Sequence, residues 1–219
     1  MPVKIVEGNI FNSECQTVVN TVNCFGVMGK GIALTYRYLM PDMYLKYKKM
    51  CDEKLLTIGK LWLYKHREEK WVLNFPTKLH WKFPSKLEYL EKGLQKFTSS
   101  YQERGISSIA FPMLGTNNGG LDTQQVLDLM LHYLETCSIE IEIYTFVQTS
   151  RDKLMSDFQK HFYQNDLNET AKLWRVSKAS IFRIDEALKG NEIKSIIELA
   201  NITGVGEKTI QKIFNQIIF

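Results

Sequence analysis

Residues 23–34 read NCFGVMGKGIAL, three glycines and a lysine ahead of an apolar run, and residues 115–120 read GTNNGG ahead of a second helical pattern. Glycines at that density leave backbone N–H groups uncovered and let a ligand approach the main chain closely. Each loop follows a β-branched run and precedes a helix, so its amides lie where the helix dipole favours an anion. One such loop suits a phosphate, and two in one domain suit a diphosphate. The same glycines also fit a simpler reading, as tight turns. His80 offers an imidazole, a side chain suited to general-base work or to an ordinary exposed ring. Cys15, Cys24, Cys51 and Cys137 stand far apart without a C-x-x-C pair, which indicates neither a metal site nor a disulfide framework.

Strands and helices must hold those loops. VKIVEGNIF and CQTVVNTVN are short β-branched runs that read as buried strands. A long helical region follows the first Gly-rich loop, broken before Pro41, with Met43, Tyr44, Tyr47, Met50 and Cys51 at helical spacing. KLWLYKH and KWVLNFP read as strands joined by the charged turn REE. Leu87, Leu90, Leu94, Phe97 and Tyr101 repeat at steps of three and four, which predicts a helix over 87–104 ended by Gly105. SSIAFPMLG is a further buried strand, Val126, Leu129, Met130, Tyr133 and Leu134 mark another helix, and IEIEIYTFV alternates as an outer strand would. Strands interleaved with amphipathic helices predict a layered α/β domain, with its ligand where strands give way to loops. After about residue 150 the strand signal stops, which predicts a linker over 150–168 and a small all-α domain over 169–219.

The 219 residues are 44% hydrophobic with a net charge of +4: enough apolar matter for a core, too mild a charge to demand a polyanion. No run reaches the length of a membrane span, and MPVKIVEGNI lacks a secretory layout, so a cytoplasmic protein is expected.

Four stretches in order, EGNIF, VNTVNCFGVMGKGIAL, NFPTKLHW and PMLGTNNGGL, resemble those of a macrodomain, the ADP-ribose-binding module. More narrowly, residues 1–149 resemble the DarG antitoxin macrodomains, which are related to the terminal ADP-ribose glycohydrolases. The resemblance implies a three-layer α/β/α sandwich with a mixed sheet. It also implies a glycohydrolase that removes ADP-ribose from thymidine in DNA and counteracts a partner ADP-ribosyltransferase toxin, with no cofactor and no metal. Asn9 and Ile10, beside Gly8, are implied near the adenine, although many macrodomains carry Asp where this chain has Asn9. An ionised Asp only accepts, whereas an amide also donates. Asn23 is implied at the distal ribose as a catalytic residue beside Lys78, or else caps its own turn. Gly26, Val27, Met28, Gly29 and Gly31 are implied around the diphosphate and ribose, and Leu114, Gly115, Thr116, Asn117, Asn118, Gly119, Gly120 and Leu121 form the second phosphate loop, with Asn20 and Thr77 alongside. Lys30 is implied as a phosphate contact or a surface residue.

Lys78 falls in FPTKLHW where related glycohydrolases carry a lysine that attacks the anomeric carbon. That chemistry needs a neutral amine, and a free lysine near its reference pKa of about 10.4 is protonated at physiological pH. Two departures stand out. Thr116 and Asn117 replace a common Cys-Gly, and Thr123 replaces a common Trp. Gly119 also aligns where terminal glycohydrolases have an assisting carboxylate; a thymidine ring nitrogen leaves more readily than an alkoxide and depends less on such an acid. A reader of ADP-ribose without turnover, or an enzyme acting on carboxylate esters of protein side chains, remain alternatives.

In the tail, ETAKLWRVSKASIFRIDEAL resembles a helix-turn-helix with Ala171, Trp174 and Val176 in its core, Ser177 as a cap, and Arg175 where Gly is usual. Lys178, Ser180 and Arg183 are its candidate DNA contacts. LANITGVGEKTIQKIF resembles a helix-hairpin-helix: Ile193, Ile196, Ile197 and Ala200 on one helix face, Gly204-Val205-Gly206 in the turn, and Ile210, Ile213, Phe214 and Ile217 on the second face. Gly204, Gly206 and Lys208 are implied at a DNA phosphate. From residue 151 onward eleven Lys/Arg face nine Asp/Glu, a balance that suits weak, non-specific DNA contact or a protein partner such as the toxin.

Overall fold

The computed structural model describes residues 3–66, 70–145, 152–190, 193 and 195–216, except for the side chain of His66. The chain divides into two compact units, Met1–Arg37 with Pro41–Ser150, and Tyr38–Met40 with Arg151–Phe219.

The first unit holds strands β1 (Lys4–Glu7), β2 (Thr17–Asn23), β3 (Trp62–His66), β4 (Lys70–Lys78), β5 (Ser108–Pro112) and β6 (Glu140–Thr145). Its helices are α1 (Gly31–Leu39), α2 (Pro41–Asp52), α3 (Leu87–Thr98) and α4 (Thr123–Leu134). The strands form one sheet in the order β1-β6-β5-β2-β4-β3. All pairs are parallel except β3 with β4, so the sheet is mixed. On one face Val19, Leu73, Phe75, Ile109, Phe111, Ile141 and Ile143 pack under Leu90, Leu94 and Phe97 of α3 and Val126, Met130 and Leu134 of α4. Each such side chain, fully buried, contributes about 1.5–3 kcal/mol. Gly93 lets α3 lie close to the sheet, since a Cβ there would stand 2.1 Å from the Phe75 ring. The alternate residues Val18, Val22 and Val72 are buried on the other face, where the Asn74 amide meets Met43 Sδ of α2. Helices therefore cover both faces, as the resemblance implies.

Several local expectations need correction. IEIEIYTFV does not form an outer strand: β6 lies between β1 and β5, and its alternation arises because Glu140 and Glu142 project to one side while Ile141 and Ile143 enter the core. The edge belongs to β1, whose residues are mostly exposed rather than buried. Helix α3 stops at Thr98, with the Ser100 and Tyr101 amides turning back on the Phe97 carbonyl, so the run to Gly105 is a set of turns. The REE turn lies outside the described residues.

The second unit is helical: α5 (Lys153–Phe162), α6 (Leu167–Leu173), α7 (Lys178–Lys189), a 3-10 helix at Ile196–Asn201 and α8 (Glu207–Phe214). The expected linker over 150–168 instead contains α5, which buries Leu154, Met155, Phe158 and Phe162. Phe158 and Phe162 lie 6.0 and 5.6 Å from the Trp174 ring, so this segment belongs to the helical core. Asp152 joins two elements, accepting from Met155 N of α5 at 3.1 Å and from Ile196 N at 2.9 Å. Ser177 caps α7 through Ser180 N. Arg175 takes the left-handed conformation, φ 55°, which is why glycine is usual at such a position. The expected face of Ile196, Ile197 and Ala200 is a six-residue 3-10 helix rather than an α-helix. Ile217 lies outside the described residues.

Candidate active site

Because β2, β4, β5 and β6 run parallel, their C-terminal ends share one edge of the sheet, and the loops after β2, β4 and β5 all leave from it. The turn after β1 joins them, with Gly8 N donating to Thr145 O at the end of β6. The four stretches singled out in the sequence thus converge through topology alone.

At the end of β4 the register with β2 slips: Val22 faces Pro76, while Asn23 faces Lys78. Thr77 is the extra residue, and a bulge of this kind re-aims the side chain that follows it. Pro76 fits because β3 pairs only with residues 70–74 of β4, so its missing N–H interrupts no ladder on that side. Past the bulge, Cys24 N still donates to Lys78 O at 2.9 Å. The Lys78 amine donates to the Asn118 carbonyl in the second Gly-rich loop. Partial burial holds this amine below the usual lysine range.

Asn23 is buried and fully engaged in its own loop. Its Oδ1 accepts from Phe25 N at 3.0 Å and Val27 N at 3.3 Å, and its Nδ2 donates to Val27 O at 2.6 Å. Tyr47 of α2, unnoticed as a site residue in the sequence, donates to Asn23 O at 2.7 Å and fixes the loop from beneath. Gly26 (φ 93°) and Gly31 (φ 56°) adopt backbone that other residues reach only with strain. Met28 is buried under the loop. A Cβ on Gly31 would stand 3.2 Å from Asn118 Nδ2, so the two Gly-rich loops meet at Asn118, whose carbonyl accepts from the Lys78 amine.

The second loop is held by its own turns, Gly120 N to Thr116 O at 2.8 Å and Leu121 N to Gly115 O at 3.1 Å. Leu114 and Thr116 are buried; Asn117 is exposed. The end of α4 is not an open anion site, because Asp122 caps it through Gln125 N at 2.9 Å and already offsets the dipole. Any anion held here meets the loop amides instead. The Gly119 departure is steric as well as chemical: a Cβ would lie 2.1 Å from Gly115 O and 2.4 Å from Ser85 Oγ, leaving no room for a carboxylate. Ser85, which the sequence reading passed over, is buried there and donates its backbone N–H to Gly119 O at 2.9 Å.

At the first turn Asn9 is buried and accepts from Phe11 N at 3.0 Å, capping a 3-10 helix at Ile10–Asn12. Asn20 is the exception among the expected contacts. It is fully buried in mid-strand and donates to Asn74 Oδ1 at 2.9 Å, so it pairs two strands and does not reach the sheet edge. Thr77 is likewise buried and reaches toward Val22 O at 3.5 Å.

The family model of the Macro domain matches residues 19–130, from β2 into α4. This chain belongs to the macrodomain family. Its macrodomain is similar to the macrodomain of Thermus aquaticus DarG, with a TM-score of 0.62 and 38% identity over 66% of this chain and 98% of that one. Thermosipho africanus DarTG, solved in complex with ADP-ribose, gives a TM-score of 0.62 at 37% identity over 68% of this chain and 43% of that one. Among curated proteins, a DNA ADP-ribosyl glycohydrolase of Mycobacterium tuberculosis is 43% identical over 122 residues, 54% of this chain and 35% of that protein. That of Thermus aquaticus is 37% identical over 153 residues, 68% of this chain and 42% of that protein. The chain thus spans about two fifths or less of the length of these curated relatives.

Proposed function

We propose that the chain is a DNA ADP-ribosyl glycohydrolase, as its relatives are named, that it releases ADP-ribose from thymidine, and that it so opposes a DNA ADP-ribosyltransferase. The observation that carries this reading is the Lys78 amine, re-aimed by a bulge into the seam between two Gly-rich loops and kept below the usual lysine range by burial. The loop amides take the diphosphate, Asn9 and Ile10 flank the adenine, and Asn23 orients the distal ribose through the loop it braces. The neutral Nζ attacks the anomeric carbon, a C–N bond forms, and the bond to the thymine ring nitrogen breaks with its electron pair staying on the base. The attacking nitrogen loses one proton and the departing base gains one. Water then hydrolyses the lysyl adduct, freeing ADP-ribose and restoring the amine. With no room for a carboxylate at Gly119, the reaction favours a leaving group that needs little help from an acid.

The helical unit is assigned a nucleic-acid or partner-binding role. Lys178, Gly204, Gly206 and Lys208 are exposed there, consistent with phosphate contact. Arg183 has a different task, donating to Gly204 O at 3.0 Å and bracing the hairpin. The four cysteines are free thiols, which suits action in the cytoplasm. The test is a comparison of ADP-ribosylated single-stranded DNA with protein esterified by ADP-ribose on carboxylates. Faster release from DNA is expected; preferential release from protein would assign the other substrate.

A further inference from the structure

An apolar surface adjoins the Lys78 seam and has no part in holding ADP-ribose as described above. Phe25 is 53% exposed, Trp81 47% and Phe83 64%, gathered around His80. Phe25 meets His80 edge-on at 4.3 Å between ring centroids, Trp81 lies nearly parallel to His80 at 5.8 Å, and Phe83 is 5.3 Å away. Lys82 lies over the Trp81 ring at 5.2 Å. Rings left this open at the surface of a folded domain mark a binding face.

The surroundings indicate what binds. Residues 23–37 and 71–87, which carry the rings, hold Lys30, Arg37, Lys78, Lys82 and Lys86 and no Asp or Glu, while Lys86 pairs with Glu88 just beyond them at 3.7 Å. Open rings beside more amines than carboxylates suit a strand that carries both bases and phosphates. Every base offers a π-face, so stacking of this kind tolerates sequence. We propose that Phe25, Trp81 and Phe83 form a stacking platform for the bases flanking the modified nucleotide in single-stranded DNA, with Lys82 meeting the adjacent phosphate. This rests on the DNA-directed reading of the same site. Trp81 and Phe83 lie three and five residues beyond Lys78, and Phe25 follows Cys24, whose N–H donates to Lys78 O at 2.9 Å, so a base stacked there keeps the glycosidic bond at the amine and the rest of the strand outside the seam.

The test compares the full chain with Trp81→Ala/Phe83→Ala on two substrates, a single-stranded oligonucleotide ADP-ribosylated at one thymidine and free ADP-ribosyl-thymidine without neighbours. The double variant is expected to raise KM for the oligonucleotide about tenfold or more, in line with the loss of one or two stacked bases. Turnover of the free nucleoside and affinity for ADP-ribose stay unchanged, and Trp81→Phe restores most of the oligonucleotide KM. Equal kinetics on both substrates in wild type and variant would overturn the platform and leave the glycohydrolase reading standing. Parallel loss on both substrates together with loss of ADP-ribose binding would overturn it too, assigning the rings a structural task. A variant that changes only self-association or protein binding would assign the face to a protein partner. Wild type that releases ADP-ribose from neither substrate would sink the underlying reading and the platform with it.

Discussion

At the scale of residues, the proposed chemistry turns on the charge of one amine. A lysine whose folded pKa is lowered sheds its proton before an unfolded lysine does, so between that value and about 10.4 the unfolded chain binds the extra proton. Stability therefore gains from this group as pH rises through that window. On the proposed mechanism the same shift governs catalysis: the rate of ADP-ribose release should climb with pH and level off below the ordinary lysine value. A profile still rising at the ordinary value would show an amine that burial does not shift, and a rate that falls with pH would show that Lys78 acts charged. Asn23 makes a different point. Its type and position were readable in the sequence, but its hydrogen bonds to Phe25, Val27 and Tyr47 were not, because they depend on how the loop folds over α2. Asn20 shows the opposite failure: an amide in the right motif, one turn of the strand too deep.

At the scale of elements, the second Gly-rich loop is the tightest part of the site. Gly119→Ala should push its Cβ into Gly115 O and Ser85, and overpacking of this kind costs about 1–3 kcal/mol. Spent on loop shape, that corresponds to roughly a tenfold or greater loss of ADP-ribose affinity, measurable by calorimetry. Unchanged affinity would mean that the loop gives way easily and does not set the cradle. Most strands and helices were legible because their apolar periods are strong, α3 above all. The misplaced strand was β6, since alternation reports one buried face and one polar face, and Glu140 and Glu142 meet that condition on an inner strand as well as on an outer one. Helix α5 was legible too, since Leu154, Met155, Phe158 and Phe162 recur at helical steps of one, three and four, much as the face of α3 does. The end of the strand pattern obscured it, because the next unit begins there at once and no linker intervenes.

At the scale of the whole molecule there are two units: the α/β unit holds the proposed site, and the helical unit carries exposed lysines and a glycine hairpin. Removal of residues 151–219 should weaken binding to unmodified single-stranded DNA severalfold and flatten its salt dependence, because each lost phosphate contact lowers the slope by roughly one unit. Identical binding and slope would assign those helices to a protein partner. Nothing in the charge balance of the tail made this division visible in advance; what marked it was the end of the strand pattern near residue 150.

The central claim is that an uncharged amine at position 78 does the attacking. Its most direct test is release of ADP-ribose from a singly modified single-stranded oligonucleotide by the full chain and by Lys78→Ala, at matched ADP-ribose affinity. Loss of turnover by roughly a thousandfold or more, with affinity kept within a few fold, is the expected result. Release by Lys78→Ala at the wild-type rate would contradict it.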